Sequence, residues 1–395
     1  MSGLLVTEWI ERSGGAERVL DVMGNAFPDA DVRCLWSDAP SAFPTRQLDE
    51  SWLARTPLRR HKALALPLMP SLWRHVRADA SYDWMLVSSY VFAHHVRLAG
   101  QDIPKYVYAH TPARYIWNPE LDRRGDNPAV RAVAPIFRGI DRRRAQEATA
   151  IAANSEFVRE RIRRAWDRDA TVIHPPVAVE RILSRPDWRT GVTDDDERRI
   201  IDALPDTYVL GASRFIPYKH LDLVIEAAAR VGLPVVIAGS GPDEQRLNAV
   251  AAQAGVPVTF VIAPSDALLY ALMQRASVFV FPPVEDFGIV PVEAQAAGVP
   301  VVTGPEGGQL ETYIDGVSGV TAESTDAVDL ADAISTAMFL PRFDARSATA
   351  RFHEDIFTAK IRRFVGDEQD MTPLRTLRKP FAPEPPSPRR FRPAA

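Results

Sequence analysis

The chain has 395 residues, 46% of them apolar and 25% charged, with 47 Lys+Arg against 51 Asp+Glu. That length exceeds what one hydrophobic core fills and predicts two domains, and the composition excludes a fibrous, disordered or membrane-spanning class. The single cysteine, Cys34, excludes an internal disulfide and fits a reducing compartment.

The start, Met-Ser-Gly-Leu-Leu-Val-Thr-Glu, lacks the basic segment and long apolar run of a signal peptide. No stretch nears the ~20 apolar residues of a spanning helix. The expectation is a cytoplasmic protein. Charge is uneven: residues 1–180 carry +3, residues 181–370 carry −12 and residues 371–395 carry +5. Basic clusters at Arg59–Lys62, Arg142–Arg144 and Arg159–Arg168 read as solvated helix faces or as contacts for anionic lipid headgroups. No aromatic interleaving or nucleic-acid motif accompanies them, so nucleic acid is not an expected partner.

In chain order, Leu4–Thr7 predicts a strand and Ala16–Phe27 a helix after the turn Ser13-Gly14-Gly15. Met85–Ser88 and Lys105–Ala109 predict buried strands. Ala129–Ala148 predicts a helix broken near Pro135. Ile151–Asn154 predicts a strand, Glu156–Trp166 a helix capped by Ser155, and Thr171–His174 a strand. Residues 184–206, with Asp194-Asp195-Asp196-Glu197, read as a domain junction holding some local helix. A second alternation follows: strands at Tyr208–Ala212, Val235–Ala238, Thr259–Ile262, Val278–Phe281 and Val301–Thr303. Helices are predicted at Leu221–Val231, Asp243–Ala254, Ala267–Arg275, Val292–Ala297, Ala327–Ala337 and Ser347–Val365. From 371 the Pro- and Arg-rich tail predicts disorder, either inert or a basic membrane tether. Two runs of alternating strand and helix give an α/β class with parallel sheets.

The most informative stretch is Val278-Phe-Val-Phe-Pro-Pro-Val-Glu285-Asp-Phe287-Gly288-Ile289-Val290-Pro291-Val-Glu293. A strand end, a glycine loop and a new helix N-terminus meet there. Pro291 suits the first helical turn, and Gly298 suits the stop. Free amides at such a helix start suit phosphate, and carboxylates accept from sugar diols. Ser213-Arg214-Phe-Ile-Pro-Tyr-Lys219-His220 sets two cations at a strand end, where they can neutralise a diphosphate. Gly14-Gly15 lets backbone approach a ligand, although most such pairs only turn the chain. His110, with Arg114, Tyr115 and Trp117 nearby, can line a sugar pocket or simply cap a turn and fill core. No spacing matches a zinc site, an Asp-x-Asp metal–nucleotide loop, a nucleophile elbow or a P-loop.

Together these motifs resemble glycosyltransferase family 4 over residues 1–365, most specifically in Glu285-x7-Glu293 around Phe287-Gly288-Ile289. Gly14-Gly15-Ala-Glu, Ser213-Arg214 with Lys219, Gly239-Ser-Gly241-Pro242 and Ala153–Val158 add to it. His110-Thr-Pro-Ala-Arg114-Tyr115-Ile-Trp117 is similar to a subset assigned to mannosyl transfer.

The resemblance implies the GT-B fold: two facing Rossmann-like domains with a deep cleft between them. Residues 1–180 would form the acceptor-side domain, with helix 347–365 returning to it. Residues 181–345 would form the nucleotide-sugar domain, leaving 366–395 as tail. It implies retaining hexosyl transfer, without metal or cofactor, from a nucleotide-diphosphate sugar, with GDP-mannose leading. The acceptor would be a glycan or lipid-linked molecule, with peripheral contact to an anionic membrane.

In that scheme Glu293 holds the ribose. Arg214 and Lys219, with amides at Gly14, Gly15, Ile289 and Val290, bind the diphosphate. Glu285, Phe287 and Gly288 hold the hexose, and His110 positions its anomeric carbon. Gly239 and Ile262 lie by the base. Catalytic roles fall on His110, Glu285, Arg214 and Lys219, and acceptor contacts on Arg114, Tyr115 and Trp117. One departure is His220, where the family often has glycine. A nucleotide-sugar epimerase, a phosphorylase or a non-catalytic scaffold on the same fold are the alternatives.

Overall fold

The structure, a computed structural model, describes residues 2–12, 14–39, 43, 46–78, 80–118 and 128–366, with backbone alone for 128–132. Ser13 and the tail beyond 366 lie outside the described residues.

The N-terminal lobe runs β1 (Gly3–Thr7), α1 (Gly15–Ala26), β2 (Asp31–Cys34), β3 (Leu48–Glu50), α2 (Lys62–Ala65), α3 (Met69–Arg74), β4 (Trp84–Ser89), β5 (Lys105–Ala109), α4 (Arg114–Trp117), α5 (Pro128–Ala145), β6 (Ala150–Ala153), α6 (Glu156–Trp166) and β7 (Thr171–Val172). The C-terminal lobe continues with α7 (Val179–Leu183), α8 (Asp195–Ala203), β8 (Val209–Ala212), α9 (Leu221–Arg230), β9 (Val235–Gly239), α10 (Glu244–Ala251), β10 (Val258–Ile262), α11 (Asp266–Arg275), β11 (Val278–Phe281) and α12 (Ile289–Ala296). It ends with β12 (Val301–Thr303), β13 (Gly319–Thr321), α13 (Ala327–Ala337) and α14 (Ala345–Thr349); α15 (Glu354–Val365) follows.

Both sheets are parallel. Their orders are β3-β2-β1-β4-β5-β6-β7 and β10-β9-β8-β11-β12-β13. In each, the order reverses beside the first strand, between β1 and β4 and between β8 and β11. Open α/β sheets bind ligands at that switch point, outside the carboxyl ends of the strands. Helices cover both faces, so the central strands are buried throughout, as Val278–Phe281 is.

The chain crosses between lobes twice. The crossings run side by side, since Val177 N donates to Phe352 O at 2.9 Å. After the second crossing, α15 packs Phe357, Ile361 and Val365 into the core beneath α1. The Arg362 Nε donates to Ala26 O at 2.9 Å. The last described helix therefore belongs to the N-terminal lobe.

Several expectations need correction. Helix 347–365 is interrupted: His353 takes extended dihedrals (φ −60°, ψ 144°) between a short 3-10 turn and α15. The helix after 128 continues through Pro135. The strand at 171 spans only Thr171–Val172. The junction is more ordered than its polarity suggests. The Asp194 carboxylate caps α8 by accepting from Asp196 N and Glu197 N at 2.9 and 3.0 Å, and the next acids occupy the first turn, where a helix favours them. Trp188 and Ile201 close the core beneath it. Strands β2, β3 and β13 escaped prediction because Asp31–Cys34 and Leu48–Glu50 carry charged residues and Gly319–Thr321 opens on glycine, so none shows an apolar run.

Candidate active site

The loops after β1, β5, β8 and β11 meet between the lobes. At the centre stands Glu285, 15% exposed, in the loop between β11 and α12. Its Oε1 accepts from both Lys219 Nζ and Tyr218 Oη, and Arg114 Nη2 of the other lobe lies 3.6 Å from Oε2. Burial pushes the Glu285 carboxyl up, but the cations of Lys219 and Arg114 outweigh it and leave the group below the ordinary carboxylate range. Burial likewise pulls Lys219 down, and Glu285 more than reverses it. Both groups are held charged at neutral pH.

Glu293 lies in α12, whose helix starts right after Gly288, with Pro291 in its first turn. It accepts from Arg18 Nη1 of α1 at 2.9 Å. The two partners respond differently. Glu293 is almost fully buried, and desolvation holds its carboxyl above the usual value despite Arg18. Arg18 is more exposed, so Glu293 outweighs its burial and strengthens its cation. The starts of α1 and α12 touch: a Cβ on Gly15 would lie 3.1 Å from Ile289 Cδ1. Two helix N-termini, both rich in unpaired amides, thus converge on one place.

Arg214 is exposed, one turn of loop from Lys219. Gly239 and Gly241 carry that loop. Both hold positive φ, 141° and 152°, and a Cβ would meet Ser213 O at 1.9 Å and Phe215 O at 2.5 Å. They therefore shape the cation loop from beneath. His220 takes the left-handed conformation (φ 52°) that a glycine adopts freely, which keeps the loop's course at a strain on the order of 1 kcal/mol. Ile262, at the end of β10, is 47% exposed.

His110 follows β5. Its Nε2 lies 2.8 Å from Ser88 Oγ, and the ring meets Tyr90 and Tyr108 edge-on. Burial lowers its pKa to about 4, so the imidazole is neutral near pH 7. Behind it the Glu8 carboxylate accepts from the amides of Tyr90, Val91 and Ala93 and fixes the turn that carries Tyr90.

The acceptor-side assignments are corrected in part. Tyr115 is 5% exposed and packs on Phe92 in the core, so it offers no sugar platform. Trp117 donates to the buried Asp141 at 2.7 Å, a carboxylate that also accepts from Trp166 and His95. Among the described residues His94, His95 and Asp141 form the group of metal-binding size, but indole and imidazole donors already occupy its carboxylate. Arg114 faces the crevice and pairs with Asp286 across it, through Nη2 at 2.5 Å and Nε at 3.1 Å.

Sequence reasoning passed over Asp286, Tyr218, Arg18, Arg161 and Gln309. Gln309 Oε1 accepts from Glu285 N at 3.0 Å, and Gly308 N donates to Glu285 O at 2.7 Å. A Cβ on Gly308 would sit 2.0 Å from Asp286 O. The pair Gly307-Gly308 following a strand, like Gly14-Gly15, was the signal available.

Comparisons with known proteins bear on the family and the fold. Residues 13–181 match the model described as Glycosyltransferase Family 4, and residues 194–350 match Glycosyl transferases group 1. The chain is 33% identical, over 55% of its length and 59% of the relative's, to a GDP-mannose-dependent alpha-(1-6)-phosphatidylinositol monomannoside mannosyltransferase of Mycolicibacterium smegmatis. It is 35% identical, over 48% of its length and 44% of the relative's, to a D-inositol 3-phosphate glycosyltransferase of Geodermatophilus obscurus. The match thus spans less than two thirds of either relative. The fold is similar to that of Anabaena HepE, solved in complex with UDP and glucose, at TM-score 0.64 and 18% identity over 92% of this chain and 99% of that one.

Proposed function

The chain belongs to glycosyltransferase family 4 and has the GT-B fold, and from that premise we propose that it is a retaining hexosyltransferase using a nucleotide-diphosphate sugar. GDP-mannose is the proposed donor, because a GDP-mannose-dependent enzyme is among the relatives. The proposed acceptor is a glycan or a lipid-linked molecule, reached by peripheral contact with an anionic membrane at the cytoplasmic face. The observation that carries the reading is the meeting of Glu285, Lys219 and Arg114 with Glu293 and two helix N-termini in one interlobe crevice.

In this reading the donor lies across both switch points. Lys219 and Arg214 neutralise the diphosphate, with the amides at Gly15 and Ile289–Val290. As the glycosidic bond lengthens, negative charge grows on that diphosphate. Cations held beside it stabilise that charge, which is the work a divalent ion performs elsewhere. Glu285, held charged by its neighbours, accepts from hexose hydroxyls. Neutral His110 hydrogen-bonds the hexose and orients its anomeric carbon. The leaving diphosphate takes the acceptor's proton on the face it departs from, which preserves the anomeric configuration. No resident cofactor is needed.

The test is turnover of GDP-mannose, with and without a lipid extract as acceptor. E285Q and K219A should each lose about 10²-fold or more in transfer, a usual scale for removing one preorganised group. Wild-type rates in either variant would reject these roles. No shift in melting temperature with any nucleoside diphosphate would reject the donor site itself.

A further inference from the structure

Glu293 is a buried carboxylate, and a buried charge needs a partner. In this structure that partner is Arg18, from the opposite lobe, through one contact of 2.9 Å between Nη1 and Oε1. Among the described residues that is the guanidinium's only hydrogen bond, and 32% of the side chain is exposed. Arg18 stands three residues into α1 from Gly15, about 4.5 Å along the helix axis. Its contact thus links the helix whose first amides are expected to hold the diphosphate to the carboxylate expected to hold the ribose.

We propose that Arg18 is a donor-binding residue that exchanges partners: it neutralises Glu293 while the crevice is empty and moves onto the donor's diphosphate when the ribose diol takes over the carboxylate. This rests on the nucleotide-sugar reading above. The chemistry of the exchange is favourable at each end. A vicinal diol brings two O–H donors to the two carboxylate oxygens, so Glu293 stays satisfied without Arg18. A diphosphate offers the planar guanidinium a bidentate acceptor, the geometry that arginine fits best. The diphosphate expected at the Gly15 amides would be the anion that takes the freed side chain. Because α1 belongs to the N-terminal lobe and Glu293 to the other, the move would also tie the donor to both lobes.

The test is titration calorimetry on the full chain with whichever of GDP and UDP the wild type binds, and with the matching nucleoside. R18A should lose tenfold or more in affinity for the diphosphate and nothing for the nucleoside, and R18K should recover part of the loss. Melting curves check that each variant folds; if R18A melts early, R18K and R18Q carry the comparison. Equal losses for diphosphate and nucleoside would overturn the exchange and leave Arg18 a holder of Glu293 alone. Unchanged or tighter diphosphate binding would overturn it too, as a mere placeholder leaving the site. A wild type that binds neither diphosphate would remove the nucleotide-sugar reading, and this proposal with it.

Discussion

At the scale of single residues, burial decides which groups carry charge. His110 and His95 both have pKa values lowered to about 4, His110 by burial and His95 by burial with added repulsion from His94. A base with a depressed pKa binds fewer protons folded than unfolded, so between pH 6.5 and 4 its contribution to stability is lost as pH falls. Glu8 and Glu293, raised by burial, act in the opposite sense above pH 4.5. The wild-type curve alone therefore mixes signs, and a difference measurement separates them. Denaturant titration of wild type and H95Q from pH 7 to 4 should show the wild type losing on the order of 3 kcal/mol relative to the variant. Parallel curves would contradict the neutral, buried His95.

At the scale of elements, most of the alternation was legible. Long apolar strands such as Val278–Phe281 announce a sheet covered on both faces, and Ser155 announces the start of α6 by accepting from Val158 N at 3.0 Å. The Glu285–Glu293 stretch was legible because glycine, proline and carboxylate sit at fixed offsets around one helix start. What was not legible depends on contacts distant in sequence. Nothing local marks Asp286 as a bridge or Arg18 as the partner of Glu293, since each is decided by a partner from another element. The segment from Trp52 to Trp73 folds as a run of short helical turns. It exposes Trp52, Leu64 and Leu68 in the same segment as exposed Arg55 and Arg60. Apolar side chains set among cations suit an anionic bilayer surface, at about 1 kcal/mol per basic residue near the surface. Vesicles rich in phosphatidylserine should float the protein better than neutral ones, and the double substitution W52A with L64A should cut that binding several-fold. Equal flotation of neutral and anionic vesicles, or no effect of the substitutions, would remove this contact. No helix among the described residues is long and apolar enough to cross a membrane.

At the scale of the whole molecule, the lobes are held together by charges from both sides. Asp286 of the C-terminal lobe accepts from Arg114 and, at 2.5 Å, from Arg161 of the N-terminal lobe, while Ser155 Oγ donates to its carbonyl. Glu311 caps α6 across the same boundary by accepting from Glu156 N and Phe157 N, and it meets His174 at 3.1 Å. These pairs are shielded enough that removing one partner strands the other. A double-mutant cycle of D286N and R161M should give a coupling of about 1 to 3 kcal/mol in unfolding stability. Small-angle scattering of D286N should show a larger radius of gyration. Additive substitutions with unchanged scattering would show that Asp286 does not join the lobes. A crystal structure with GDP bound tests most directly whether the crevice is a nucleotide-sugar site. The prediction is a diphosphate within hydrogen-bonding distance of Lys219 and Arg214, with the ribose diol on Glu293. A nucleotide bound elsewhere, with Lys219 still closed on Glu285 and the crevice empty, would contradict it.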